Sequence, residues 1–286
     1  MEITSIRLKV FNANPAGPVM KLPQCVPILT AFTARVAGRG MEQLLQSPGA
    51  LARALADTQK VVGHDGVLCI FDPLLLSSAC IGKQGDVPSS ADTDGVGLTP
   101  ADEIPQTAPV TAILESIEPL QHHLPDSAMI YAAFTGPGLL FSQLQDTFDS
   151  CGQNSQVDPD YVVDVILAVV RSALDLKVDG VALIEQTAAS APSELLRAHK
   201  TVRKLTDFYD AGFLVFNLPR TEEQEPGFPA HCTFDLESAQ NGNGPVFGKL
   251  AQSAVSNTVP FTTAGDVPET TPVEELKILL QQGRAA

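Results

Sequence analysis

The sequence predicts an α/β fold on a parallel sheet, either an α/β barrel or doubly wound, and three observations lead there. Short apolar runs rich in Val, Ile and Phe alternate with longer amphipathic stretches along the chain. Three of those stretches open on a polar residue followed by proline, the pattern that starts a helix. The length, 286 residues, is ordinary for one α/β barrel and long for a sandwich or bundle.

Taken in order, a weak strand is expected at 5–10, then a clear one at 26–32, "VPILTAF". Ser47-Pro48 opens a helix that lines up Leu51, Leu55, Val61 and Val62. Strands follow at 66–71 and 128–134. Asp158-Pro159 repeats the start signal ahead of Val162, Val163, Ile166, Leu167 and Val170. Strands at 180–184 and 212–216, a weak one at 230–234 and another at 257–262 come next. Thr271-Pro272-Val273-Glu274 is a capping box that opens a last helix through Leu276, Leu279 and Leu280. Six clear and two weak strands are a thin count for eight. Alternating strands and helices mean a parallel sheet, closed or doubly wound, and no Gly-rich phosphate fingerprint follows the early strands. Two Gly-, Pro- and acid-rich loops, 82–106 and 218–230, interrupt the pattern without separating independent cores, so 1–286 is read as a single domain.

Composition narrows the function. Eighteen Lys and Arg stand against 33 Asp and Glu, a net charge of −15. That field repels phosphate backbones and argues against a nucleic-acid partner. An anionic small molecule would need a local basic pocket. The five cysteines are odd in number, widely spaced and without a CxxC, as free thiols in a reducing compartment would be. The start "MEITSIRLKVF" lacks the long apolar block of a secretory signal, and "VVDVILAVV" is too short to span a bilayer and carries Asp164. A cytoplasmic protein with no membrane partner is the expectation.

Three stretches carry candidate chemistry. In "FTARVAGRG", Arg35 and Arg39 flank Gly38 at the C-terminal end of the 26–32 strand, the end where barrels build their sites. Guanidinium forks suit carboxylates, and glycine lets backbone approach a ligand. Surface charge, or pairing with the many acids, is the plainer alternative. In "HDGVLCIFDPLLLSSACIG", Asp72 ends a buried strand after Phe71. It serves equally as a catalytic carboxylate and as the cap of the next helix, and the two roles are compatible. In "YAAFTGPGLLFSQL", a strand runs through Gly136 into a helix whose free N–H groups would hold an anion, unless this is only a tight turn. Among the histidines, His64 is placed at a strand start, His122 and His123 at a helix end, and His199 on the surface of a helix rich in Arg and Lys.

Together these stretches resemble the uroporphyrinogen decarboxylase family. Its Arg-x-Ala-Gly-Arg loop stands here as Arg35-Val36-Ala37-Gly38-Arg39, and its strand ending in Phe and a catalytic Asp as Asp65 through Phe71-Asp72. "FTGPGLLFSQL" is similar to its Phe-x-Gly turn, "VDGVALIE" to a later strand with an acidic end at Glu185, and "TTAGDVPETTPVEELK" to its closing turn and helix. The resemblance covers about 24–282 and implies a (β/α)8 TIM-type barrel, with one β/α unit reduced or irregular, acting as a cofactor-independent decarboxylase-type lyase on a tetrapyrrole or other polycarboxylate. Arg35 and Arg39, with Gly38, Phe71 and Gly136, would hold substrate, and Asp72 would face the pyrrole N–H groups and stabilise developing positive charge. The family is often dimeric, which makes a homodimer the assembly it implies. The chain departs from the family's pattern at a tyrosine, replaced by Leu144, and a late histidine, near Ala264, and it is shorter between 186 and 257. A sister branch, zinc-dependent corrinoid methyltransferases, supplies the alternative reading. It uses His-x-Cys with a later Cys, whereas His231 and Cys232 are adjacent here with no cysteine after them, which argues against zinc. A non-catalytic binding barrel is the third reading.

Overall fold

The computed structural model describes residues 25–70, 72–81, 97–151, 156–185, 193–217, 233–234, 262–263, 270–274, 276–278 and 281. Four parallel strands form its centre: β1 (Gly66–Cys69), β2 (Met129–Thr135), β3 (Gly180–Glu185) and β4 (Gly212–Asn217), hydrogen-bonded in the order β1-β2-β3-β4. Register runs Gly66 to Met129, Tyr131 to Gly180 and Gly180 to Gly212. Each strand lies beside its predecessor, the order of a singly wound barrel rather than of a doubly wound sheet, whose order reverses at a switch point. Cys25 approaches the free edge of β1, where Gly66 N–H donates to Cys25 O. Farther along, the short β5 (Thr233–Phe234) and β6 (Thr262–Thr263) pair in parallel with each other. This is an α/β fold with a parallel sheet, consistent with part of a TIM-type barrel; among the described residues no pairing joins β4 to β5. The expected strand at 5–10 and most of 257–262 lie outside the described residues.

Both faces of the sheet are buried, which is why these strands read as unbroken apolar runs. One face presents Leu68, Tyr131, Ala133, Ala182, Ile184, Leu214 and Phe216, packed with Val26 and Ile28. The other presents Val67, Cys69, Ile130, Ala132, Phe134, Val181 and Leu183 to the helical layer. That layer includes α3 (Pro48–Val62), α5 (Ala108–His123), α6 (Pro137–Ser150), α7 (Pro159–Asp175) and α8 (Ser193–Phe208). α3 and α7 begin at the Ser-Pro and Asp-Pro signals. The Asp158 carboxylate caps α7 by accepting from Asp160 N–H, whereas Ser47 gives α3 no side-chain cap, so proline at the first turn carries that start. The last helix begins as expected after Thr271, with Leu276 N–H donating to Pro272 O. His122 and His123 close α5, and His64 is buried just before β1.

One expected strand is a helix. The run "VPILTAF" forms no strand through Leu29, and from Thr30 it coils into α1 (Thr30–Ala37), followed by α2 (Met41–Leu45). Only Phe32 and Thr33 of α1 are buried, and Gly38 ends the helix at φ 62°, its N–H reaching back to Ala34 and Arg35 carbonyls. Glycine suits the left-handed C-cap there, with open space around it. The 82–106 stretch also divides. Residues 82–96 lie outside the described residues, but 97–106 are anchored: Thr99 N–H donates to Cys80 O, Tyr161 Oη to Thr99 O, and Ile104 is fully buried. The 218–230 stretch lies outside the described residues.

Candidate functional site at the strand ends

Parallel strands bring their C-terminal ends to one rim, and β1, β2 and β3 end there in a turn at Asp72, in Thr135 and in Glu185. Asp72 is exposed. Its Oδ1 accepts Leu74 N–H at 2.9 Å and its carbonyl accepts Leu75 N–H, so it starts α4 (Leu75–Ile81). The capping role is therefore filled, and the second carboxylate oxygen stays available, since no cation pairs with Asp72 among the described residues. Ile70, two residues earlier, has φ 20°, a conformation a β-branched side chain resists at a cost of about 1–3 kcal/mol. Asp72 and Thr135 border a small cleft walled by Ile70, Leu76, Ile113 and Phe134. The buried Thr135 hydroxyl donates to Pro73 O at 3.2 Å, tying the β2 end to the turn that carries Asp72.

The turn after β2 does receive an anion, and it is the protein's own. Glu185 is fully buried, with Oε1 accepting Gly138 N–H at 3.2 Å and Oε2 accepting Leu139 N–H at 3.0 Å. These are free N–H groups of the first turn of α6, and the helix dipole adds to their pull on the carboxylate. Two glycines make the approach possible. A Cβ at Gly136 would sit 2.3 Å from Glu185 Cδ, and one at Gly138 would sit 3.0 Å from Oε2. The third partner is His199, whose Nε2 lies 3.0 Å from Oε1. It approaches off the axis of a straight N–H bond, so the contact is an electrostatic pairing more than a directed hydrogen bond.

His199 is thus not the surface residue its helix composition suggests: its side chain is 14% exposed and packed against Glu185. The signal was positional. Leu195, Ala198, Val202 and Thr206 are buried along α8, and position 199 falls on the same face, four residues after Leu195.

Arg35 and Arg39 sit on and just after α1 rather than on a loop after a strand, since the expected strand has become that helix. The Arg35 guanidinium donates to Thr271 O at 2.7 Å and lies 4.6 Å from the Phe32 ring centroid, tying the closing segment to α1. Arg39 is exposed and makes no ion pair among the described residues. Gly136 faces Glu185. Leu144 is fully buried in the helical layer. Phe71, Ala264, His231 and Cys232 lie outside the described residues. Among those described, no three His, Cys, Asp or Glu side chains converge as a metal requires. Burial holds two thiols protonated: Cys69 is pushed up to about 12 and Cys80 to about 11, the latter partly offset by a hydrogen bond with Tyr161.

The fold has a counterpart among solved structures. The fold is shared with a methyltransferase from Methanosarcina mazei. The likeness covers 94% of each chain with a TM-score of 0.60, at 14% sequence identity. Identity that low carries the architecture and leaves the chemistry to the residues. No family model and no curated protein matches the chain. No helix among the described residues is long and apolar enough to cross a membrane.

Proposed function

We propose that this chain is a methyl-transfer enzyme that works at the C-terminal rim of its strands, with a methylated corrinoid or a small thiol as reaction partner. The observation that carries the reading is the likeness to a methyltransferase along nearly the whole of both chains. The rim supplies what such a reaction asks of a protein. A methyl group passes from donor to nucleophile as the bond to the nucleophile forms and the bond to the donor breaks, its electron pair staying with the donor, while the nucleophile's proton leaves to water at the exposed Asp72. The open oxygen of Asp72 accepts a hydrogen bond from that nucleophile and orients it. Ile70, Leu76, Ile113 and Phe134 form an apolar wall beside it that limits water. A zinc ion would activate a thiol in such chemistry, but the described residues offer no three-ligand set for one, and no step here depends on it.

The decarboxylase reading keeps one observation in its favour: Arg39 is exposed without an ion pair among the described residues, in the Arg-x-Ala-Gly-Arg pattern. One finding weakens it: the Arg35 guanidinium is bonded to Thr271 O and stacked near Phe32.

The test runs two anaerobic assays on one preparation. In the first, methylcobalamin and a small thiol are supplied and demethylation is followed by visible absorbance. In the second, uroporphyrinogen is supplied and its products are separated by carboxylate number. Methyl transfer without loss of CO2 supports the proposal. Loss of CO2 without methyl transfer replaces it with the lyase, and turnover in neither assay refutes both for these substrates.

A further inference from the structure

Glu185 and His199 lie outside the roles assigned to Asp72 and the cleft, yet they form the most deeply built polar cluster at the rim. A fully buried carboxylate is costly unless donors surround it. Here two backbone N–H groups do so, the His199 imidazole packs 3.0 Å from the same carboxylate, and two positions of the β2–α6 turn are glycine to admit it. The carboxylate belongs to β3, the amides to α6 and the imidazole to α8, so one group holds three elements. From α6 the connection continues. Gly136 N–H donates to Ile184 O, which fixes the turn against β3. The preceding residue, Thr135, donates to Pro73 O in the turn that presents Asp72.

We propose that Glu185 and His199 are a positioning pair: His199 holds the Glu185 carboxylate against the start of α6, and that start, through Thr135, sets where Asp72 stands at the rim. The inference rests on the reading of Asp72 as the rim's working carboxylate, but the pair's reach to the Asp72 turn is measurable without any activity. Neither residue touches the cleft, so neither is catalytic in its own right.

The experiment compares the wild-type chain with Glu185→Gln and His199→Gln by amide hydrogen exchange in the folded state. Gly138 and Leu139 report the carboxylate's own bonds, Leu74 reports the Asp72 turn, and α3 amides report global opening. Both variants are expected to exchange about tenfold faster at Gly138 and Leu139, and several-fold faster at Leu74, with α3 unchanged apart from any global shift. His199→Gln, with the carboxylate left in place, is the variant more certain to fold. In Glu185→Gln the added effect of His199→Gln should vanish. Unchanged exchange at Leu74 in folded His199→Gln, with faster exchange at Gly138, would overturn the link to Asp72; unchanged Gly138 and Leu139 would overturn the pair itself. Where methyl transfer is observed, His199→Gln should lower kcat on the order of tenfold and leave KM within about twofold, because a displaced orienting group slows the step without removing substrate contacts. A KM change with kcat intact would overturn the positioning role, and wild-type inactivity would refute the methyl-transfer proposal while the exchange result still decides the pair.

Discussion

Gly136→Ala is the substitution whose cost the structure sets most sharply. Residue 136 has φ −72° and ψ 160°, a conformation alanine adopts freely, so backbone strain contributes nothing. The whole cost is steric. The new Cβ would meet Glu185 Cδ at 2.3 Å, Oε1 at 2.6 Å and Cγ at 2.7 Å. Glu185 cannot swing clear without giving up Gly138 N–H, Leu139 N–H and His199. Overpacking of this kind costs about 1–3 kcal/mol, and weakening a buried carboxylate's hydrogen bonds costs about as much again. We expect a loss of about 3–4 kcal/mol in equilibrium urea unfolding and a fall in Tm of about 6–12 °C. The same substitution in a Glu185→Ala background meets no carboxylate and should cost less than about 1 kcal/mol, a coupling of at least about 2 kcal/mol in the double-mutant cycle. An equal cost in both backgrounds, or a cost under about 1 kcal/mol in the wild type, would refute the account of why glycine stands there.

Other outcomes follow from the same physics. Tyr131 is fully buried and its hydroxyl has no hydrogen-bond partner among the described residues, its ring filling the space left by Gly180 and Gly212; Tyr131→Phe should be neutral or stabilising by up to about 1 kcal/mol in thermal unfolding, whereas Gly180→Ala should destabilise by about 1–3 kcal/mol. Arg35→Ala should cost about 1–2 kcal/mol and speed limited proteolysis near Thr271, because it removes the bond to Thr271 O. Burial moves the Cys69 thiol from its ordinary 9.0 up to about 12, so the unfolded chain sheds that proton first. The contribution is fully present below pH 9 and lost as pH rises from 9.0 to about 12. Unfolding free energy should therefore fall by up to about 1.4 kcal/mol per pH unit there, and less steeply in Cys69→Ala. Native protein should show a thiol reagent its exposed Cys151, with Cys25, Cys69 and Cys80 reacting only on unfolding.

The parts of the fold legible in the sequence are those where burial leaves a one-dimensional trace. β1 to β4 are covered on both faces and so appear as unbroken apolar runs, and α3 and α7 announce themselves with a polar residue and proline. "VPILTAF" misled because a short apolar run reads alike as buried strand and buried helix. Leu29, which precedes α1, provides no side-chain cap, so nothing marks the change of direction at Thr30. Gly38 carried a real signal, but of a helix end. At the rim, Asp72 and the acidic end of β3 were both readable as strand-end carboxylates. What they touch was not: Glu185 meets Gly138 and Leu139 from 47 and 46 positions away, and His199 joins it from a helix otherwise rich in Arg and Lys. Local composition points such a histidine to the surface, and only the arc of buried residues around it points inward.

The claim that Asp72 orients a methyl-accepting nucleophile at the rim is tested most directly by Asp72→Asn. Asparagine keeps the side-chain oxygen that caps α4 through Leu74 N–H, so stability should change by less than about 0.5 kcal/mol. The negative charge is lost. With methylcobalamin and a small thiol, the account predicts that kcat for demethylation drops by about 10²-fold or more in a variant whose Tm is unchanged. A variant that transfers methyl groups at the wild-type rate would contradict it.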